Sequence, residues 1–343
     1  EALQGKVFYQ PGDLGHERAI RDDVARRREA QLAAMVEGDS DGAGHLEVLT
    51  TSPADRAKDM WLQRTVAGAG RQLGVLRDRL FEMAGIQRHH LILDANAGSG
   101  LLTWEAVRRA PEGGVWALAA DETTGEALRQ QAARLLDVER PAVLVGEPAE
   151  LDYLLALRGE DDVRFDRILG RNIFPASRPD RFSETGRALS SHLLPDGRLV
   201  FSQAIPRHTQ RLYQLIEWGR DAKLRDKAAA AEEAIYSDAT DPMVNWDEGD
   251  LAAALEAAGL AGIRMTAEEQ TEERLITAAH LDRWFSAGAP DGRPSYRGRL
   301  LAGGLTEAEV TKVEKLFRSQ LSEQAVSWSS RLVYVRAERP ASD

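Results

Sequence analysis

The sequence predicts an α/β chain built on a doubly wound, mostly parallel seven-stranded sheet, with an antiparallel last strand, a helical N-terminal extension and a helical insertion before the last strand. Three observations carry that expectation. The stretch Leu91-Ile-Leu-Asp-Ala-Asn-Ala-Gly-Ser-Gly-Leu-Leu-Thr-Trp104 is a short apolar run, an acid, a loop of small residues and then a helical pattern. From there to about residue 222, short apolar runs alternate with helical patterns, as in parallel strands covered on both faces by crossover helices. Beyond residue 268 the alternation breaks, helical patterns intervene, and the next clear strand comes only at 329–337.

The opening, from Leu3 to Glu17, is rich in turn residues and leads into a charged helix ending near Glu37. Gly38-Asp-Ser-Asp-Gly-Ala-Gly44 then has the composition of a linker, so residues 1–50 are expected to form an appendage and residues 51–343 the main domain. Because the chain starts on a glutamate, it reads as an excerpt of a longer protein. The run Arg26-Arg27-Arg28 lies among Asp22, Asp23 and Glu29, a pattern that favours a solvated helix face. From Pro53 to Ile86, Trp61, Leu62, Val66, Leu73, Leu76, Leu80 and Phe81 recur at helical spacing and form an apolar stripe. Arg64, Arg71 and Arg77 lie elsewhere on that helix, where they serve solubility or reach an anionic group. His89-His90, just before the first strand, reads as a solvated turn.

Strand one, 91–94, meets a loop where Gly98 and Gly100 let the backbone turn sharply and approach a ligand without a Cβ clash. The amides that open the next helix, 101–109, point back at whatever occupies that turn, which suits a nucleotide-like ligand; a plain strand-to-helix connection is the alternative. The predicted pairs that follow are strand 115–120 with helix 125–136, strand 142–145 with helix 149–157, strand 164–169 with helix 181–193, and strand 198–204 with helix 207–222. Residues 251–258 read as a helix and 263–268 as a strand. Helices at 277–285 and 307–321, the second capped by Thr306 ahead of an acidic first turn, define an insertion at 271–325, after which the last strand returns as an antiparallel edge.

Composition narrows the chemistry. The chain is 43% hydrophobic and 29% charged, as in ordinary globular proteins. The absence of cysteine removes disulfides, thiolate nucleophiles and cysteine-held metal centres, and the seven histidines show no HxxxH or HxH spacing, so no metal site is expected. A formal charge of −11 lacks the positive field that drives nonspecific nucleic-acid binding. No apolar run reaches the roughly 18 residues that span a bilayer, and no signal peptide is visible, so no membrane partner and a cytoplasmic location are expected.

Together these residues resemble the class I S-adenosylmethionine-dependent methyltransferase family. Asp94-Ala-Asn-Ala-Gly-Ser-Gly100 matches its first motif, an acid followed by alternating glycines, with Asn96 in place of the first glycine. Asparagine tolerates a left-handed backbone better than most residues, so the turn is expected to survive the exchange. Asp121 stands where the family has an acid that accepts hydrogen bonds from the ribose diol; its alternative role is to cap the helix that follows. Glu147 and Glu150 lie where an adenine-contacting acid often sits, and Phe165-Asp-Arg-Ile-Leu-Gly-Arg-Asn-Ile-Phe-Pro175 is similar to the fourth-strand motif, whose far end faces the transferring methyl group. Leu193-Leu-Pro-Asp-Gly-Arg-Leu-Val-Phe201 resembles the fifth strand with its preceding turn. The resemblance spans roughly residues 60–270 plus the last strand, and implies a Rossmann-like methyltransferase fold, S-adenosylmethionine as cofactor bound by Asp94, Asn96, Gly98, Gly100, Asp121, Glu147 and Glu150, and Arg171 and Asn172 as the candidates beside the methyl group. Family members that methylate amino groups carry an Asn/Asp-Pro-Pro-aromatic turn after strand four; here Arg171 stands at the Asn position and the Pro-Pro pair is missing, which argues against transfer to an exocyclic base nitrogen.

The opening segment has a second resemblance. Phe8-Tyr-Gln-Pro-Gly-Asp-Leu-Gly-His-Glu17, followed by a charged helix, is similar to the C-terminus of the replication-associated recombination protein A family of AAA+ ATPases. It implies an upstream ATPase module in the same polypeptide, a link to DNA replication and recombination, nucleic acid contacted only through that module, and homo-oligomers assembled through it. Two other readings stay open at this point. One is a noncatalytic S-adenosylmethionine-binding or scaffold module of that ATPase. The other is a nicotinamide-dependent enzyme, which Thr103 at the third glycine position and the lack of a hydride-transfer set disfavour.

Overall fold

In the computed structural model the described residues are 23–34, 53–175, 179–238, 241, 244, 246–288 and 294–341, with the side chains of 53–68 outside that set. The Phe8–Glu17 pattern and the 38–44 linker lie outside the described residues. Among the described residues no helix is long and apolar enough to cross a membrane.

The strands are β1 (Leu91–Asp94), β2 (Gly114–Ala119), β3 (Ala142–Val145), β4 (Phe165–Arg171), β5 (Leu193–Ala204), β6 (Ala261–Ile276) and β7 (Gln324–Glu338). They form one seven-stranded sheet in the order β3-β2-β1-β4-β5-β7-β6. β1 to β5 are parallel, and β7 runs antiparallel to both β5 and β6. The chain winds outward from β1 through β2 to β3, then returns to β4 on the other side of β1. The switch point therefore lies between β1 and β4, beside the loop of small residues.

Side-chain alternation assigns the two faces of the sheet. On one face Leu93, Ile168, Leu199, Phe201, Val333 and Val335 join a core with Leu155, Leu189 and Leu251, which come from helices α5 (Leu151–Ala156), α6 (Phe182–Ser191) and α8 (Glu248–Ala257). On the other, Ile92, Leu169, Val200 and Tyr334 pack against α2 (Pro53–Ala84) and α3 (Leu101–Arg109). Farther along that layer, α4 (Glu122–Ala132) sets Leu128 and Ala132 against Ala117 and Ala119 of β2.

Residues 23–34, which belong to the expected appendage, are helical and are labelled α1 here. Ala30, Ala33 and Ala34 are buried in the same core as Leu73, Leu76 and Leu80 of α2. The Arg26–Arg28 run is not simply a solvated face: Arg26 pairs with the buried Glu105 at 3.0 Å and with Asp78 at 2.7 Å, whereas Arg27 stays exposed beside Asp23. Glu29 pairs with Arg108. His90 also departs from expectation, being buried with its Nδ1 accepting from the Gln87 amide, and burial lowers its pKa.

Three further expectations need correction. The last strand is not the edge: β7 lies between β5 and β6, and β6 is the edge strand. The insertion is shorter than 271–325, because β6 continues to Ile276 and β7 begins at Gln324. The outer half of β6, Glu268 to Arg274, is largely exposed and charged, so no apolar alternation marked it. The expected helix at 207–222 is instead two short 3₁₀ turns, Pro206–His208 and Leu212–Gln214, and the helix comes later as α7 (Ala222–Ser237). Its Ala-rich sequence has high helix propensity but carries little apolar periodicity to mark it.

β5 pairs with β7 only as far as Leu332, so beyond that point β6 and β7 continue as a two-stranded ribbon past the carboxyl end of β5. This ribbon carries α9 (Ala278–Trp284), α10 (Tyr296–Ala302) and α11 (Glu307–Leu321). With α7 they enclose a separate core around Phe285, Tyr296, Leu300 and Phe317. Thr306 caps α11 through a reciprocal bond with Glu309, as its sequence predicted. Inside this cap the buried Glu232 carboxylate accepts from the amides of Leu212 and Tyr213 and from the Tyr296 hydroxyl, tying the 3₁₀ turn to α7 and α10. The cap thus lies at the same end of the sheet as the β1 loop.

Candidate functional site

The carboxyl ends of β1, β2, β3 and β4 come together through backbone bonds that run from each loop to the neighbouring strand. The Ala95 amide donates to Leu169 O, the Ala97 amide to Leu118 O, and the Gly146 amide to Ala119 O. Open parallel sheets bind ligands in the crevice outside these ends, at the switch point.

Asp94 closes β1 and is fully buried. Its Oδ2 accepts from the Thr103 hydroxyl at 2.7 Å, whereas Oδ1 has no hydrogen-bond partner among the described residues. Burial pushes its carboxyl up to about 6, against the opposing pull of Thr103, nearby backbone amides and the Arg171 charge. Gly98 has φ +48° and Gly100 φ +84°, so both use the left-handed region that favours glycine. Open space faces Gly98, whereas a Cβ on Gly100 would lie 2.2 Å from Trp104 Nε1. Gly98 therefore leaves room in the crevice, and Gly100 admits the Trp104 indole packed beneath the loop.

Asn96 corrects the expectation attached to it. The residue is not among those with positive φ, so the turn does not need a left-handed backbone there. Its side chain instead crosses to the end of β4, where Nδ2 donates to Arg171 O at 2.8 Å and to Asn172 O at 3.3 Å.

Asp121 follows β2 and caps α4, with Oδ1 accepting from the Thr124 amide at 2.8 Å. That amide holds its carboxyl below the usual range, so it is charged near neutral pH. A carboxylate has about four acceptor positions, so one cap bond leaves capacity for ligand hydroxyls. Glu147 and Glu150 after β3 form a reciprocal capping box, and Glu147 also pairs with Arg181 at the start of α6. Both glutamates therefore hold the β3 turn in place at the rim of the crevice.

Arg171 is half-buried at the end of β4, and Asn172 is exposed with φ +49°. The Asn172 amide donates to Ser202 O, and its Oδ1 accepts from the Ala204 amide at 2.9 Å. One step further, the buried Gln203 amide grips Phe174, accepting from its N–H and donating to its carbonyl, each at 3.2 Å. The turn that stands where an Asn-Pro-Pro-aromatic motif would grip an amine is thus bonded to β5. Sequence reading missed Thr103 and Gln203. A Thr one helical turn past Gly100 is the signal available for the first; for the second there is none, because Gln203 reads as an ordinary strand residue.

No family model matches the chain, and no curated protein matches it. Solved structures similar to it include a geranyl diphosphate methyltransferase in complex with GPP and sinefungin, at 15% identity over 93% of this chain and 98% of that one, TM-score 0.44. Another is phosphoethanolamine N-methyltransferase 2 from Haemonchus contortus in complex with S-adenosyl-L-methionine, at 11% identity over 79% of this chain and 52% of that one, TM-score 0.41. A third is a cyclopropane synthase from Mycobacterium tuberculosis, at 16% identity over 75% and 82%, TM-score 0.38. Likenesses this distant carry no argument about chemistry. What the chain displays on its own account is the strand order, the antiparallel strand between β5 and β6 and the glycine loop at the switch point, which make it a doubly wound, mostly parallel seven-stranded α/β fold.

Proposed function

We propose that the chain binds S-adenosylmethionine in the crevice at the carboxyl ends of β1, β2 and β3 and transfers its methyl group to an acceptor held beneath the helical cap. The observation that carries this reading is the convergence there of the Gly98–Gly100 turn, the charged Asp121 carboxylate and the Glu147–Glu150 turn. The residues fit the nucleoside end of such a ligand. Gly98 faces open space, Asp121 has acceptor capacity for a ribose diol, and Glu147 or Glu150 borders the base. When bound, the cofactor supplies an electrophilic methyl group on a sulfonium. The chain's own residues contribute position: the loop fixes the nucleoside, and the end of β4 with Arg171 and Asn172 lines the side from which an acceptor approaches. Proximity and orientation of this kind are worth about 7–11 kcal/mol of barrier in well-aligned intramolecular systems.

A specific observation favours a second reading, a noncatalytic S-adenosylmethionine-binding or scaffold module. Asn172 Oδ1, the Phe174 carbonyl and the Arg171 carbonyl all have internal partners, so the usual means of holding an amine acceptor are engaged. An upstream AAA+ ATPase module in the same polypeptide, supplying nucleic-acid contact and self-assembly, and a cytoplasmic setting belong to both readings as proposals.

Titration calorimetry with S-adenosylmethionine tests binding, with a saturable heat expected that Asp121→Ala weakens about tenfold. No heat at millimolar ligand overturns the enzyme and the ligand-binding module and leaves only a scaffold. Transfer of labelled methyl groups to DNA, RNA or protein fractions then separates them: incorporation supports the enzyme, and binding without incorporation supports the module.

A further inference from the structure

We propose that Asn96 is a specificity-determining residue, its side-chain amide occupying the subsite of the crevice that accepts a ligand's cationic amine. The inference rests on the S-adenosylmethionine reading above and concerns which part of that ligand the site holds. Arg171 and Asn172 end β4 directly across the switch point from the β1 loop, and their carbonyls converge on one nitrogen, Asn96 Nδ2, at 2.8 and 3.3 Å. Two carbonyls aimed at a common point are an acceptor pair for an N–H donor, and they bond a charged ammonium more strongly than a neutral amide. In this chain the donor is built in.

Two further observations identify the side chain, rather than the backbone, as the reason for asparagine here. Residue 96 does not use positive φ, so the turn geometry makes no demand for glycine or asparagine. The neighbouring Asn172 Oδ1 and Phe174 carbonyl are matched elsewhere, on the Ala204 amide and on Gln203, whereas the carbonyls of Arg171 and Asn172 are met by the Asn96 amide, which bridges the two loops at this point. A ligand whose arm ends in an ammonium and a carboxylate must displace that bridge. A nucleoside thioether without the arm need not. The chain as it stands is therefore expected to discriminate weakly between S-adenosylmethionine and 5′-methylthioadenosine, which keeps the nucleoside and the sulfur but lacks the amino-acid arm.

The test is calorimetric titration of both probes into the full chain and into Asn96→Gly and Asn96→Ala, with a thermal melt to establish that each variant folds. Affinities of the unaltered chain for the two probes should fall within about threefold of each other. Asn96→Gly should gain about tenfold or more for S-adenosylmethionine alone, the equivalent of one freed charge-assisted bond. Asn96→Ala should shift in the same direction, and it carries the test if the glycine variant does not fold. Equal changes for both probes, or none in chains that bind, overturn the role of Asn96 while leaving the cofactor reading intact. If neither the unaltered chain nor the variants bind either probe, the cofactor reading itself fails and this inference falls with it.

Discussion

Burial at the end of β1 gives Asp94 a carboxyl that titrates at about 6 instead of the usual 3.8. Because the folded value is the higher one, its contribution to stability is fully present below the unfolded value and is lost as pH rises through about 6, to the extent of about 3 kcal/mol. Asp94→Asn should therefore flatten that part of the profile: urea unfolding at pH 4.5 and pH 8 should differ less in the variant than in the unaltered chain. Gly100 belongs to the same loop but answers to sterics. With φ +84° and a would-be Cβ 2.2 Å from Trp104 Nε1, Gly100→Ala should lower the unfolding free energy by about 3 kcal/mol, read from urea melts. At this scale the sequence was informative where chemistry lies in local spacing: Asp94, Gly98, Gly100 and Asp121 all sit at strand ends as expected. It was silent where a role depends on a distant partner, as with Asn96 reaching residues 171 and 172, or Gln203 gripping Phe174.

Among elements, α1 is joined to the domain by charge as well as by packing. Glu105 on α3 is buried, and although burial disfavours its charge, Arg109, Arg108 and Arg26 outweigh that and hold its carboxyl below the usual range. Glu105→Gln removes the counter-charge that Arg109 uses and one of the two that Arg26 and Arg108 each have, the others being Asp78 and Glu29, which should destabilise the fold by about 2 kcal/mol. Hydrogen exchange should report the effect as faster exchange over residues 23–34. The α3 and α11 helices were legible because their ends carry local signals, the glycine turn before one and the Thr306–Glu309 capping box before the other. The outer part of β6 and the start of α7 were not, because a ribbon exposed on both faces shows no hydrophobic alternation and an alanine-rich helix little amphipathic pattern.

For the molecule as a whole, the net charge of −11 opposes contact with a polyanion. Filter binding with duplex DNA at physiological salt should give a dissociation constant weaker than about 10⁻⁴ M, the weak end for nonspecific binders. Tight binding by this chain alone would contradict the expectation that nucleic acid is contacted through another module. The sheet class was legible from the alternation of elements, but not the place of the last strand, since nothing local to 324–338 tells whether it inserts beside β5 or adds to the rim.

That placement has a consequence for how the chain is made. Residues 205–323 separate β5 from β7, the strand that covers its open side. At ribosomal speeds of about 5–20 residues per second, the gap lasts on the order of ten seconds. Throughout that interval a nascent chain with β1 to β5 assembled presents an uncovered apolar strand, with Val200 and Phe201 at its centre, to any other strand it meets. Completion of the sheet waits for β7, so a chain stopped a few residues before Gln324 would hold the whole crevice and still lack the strand that covers β5.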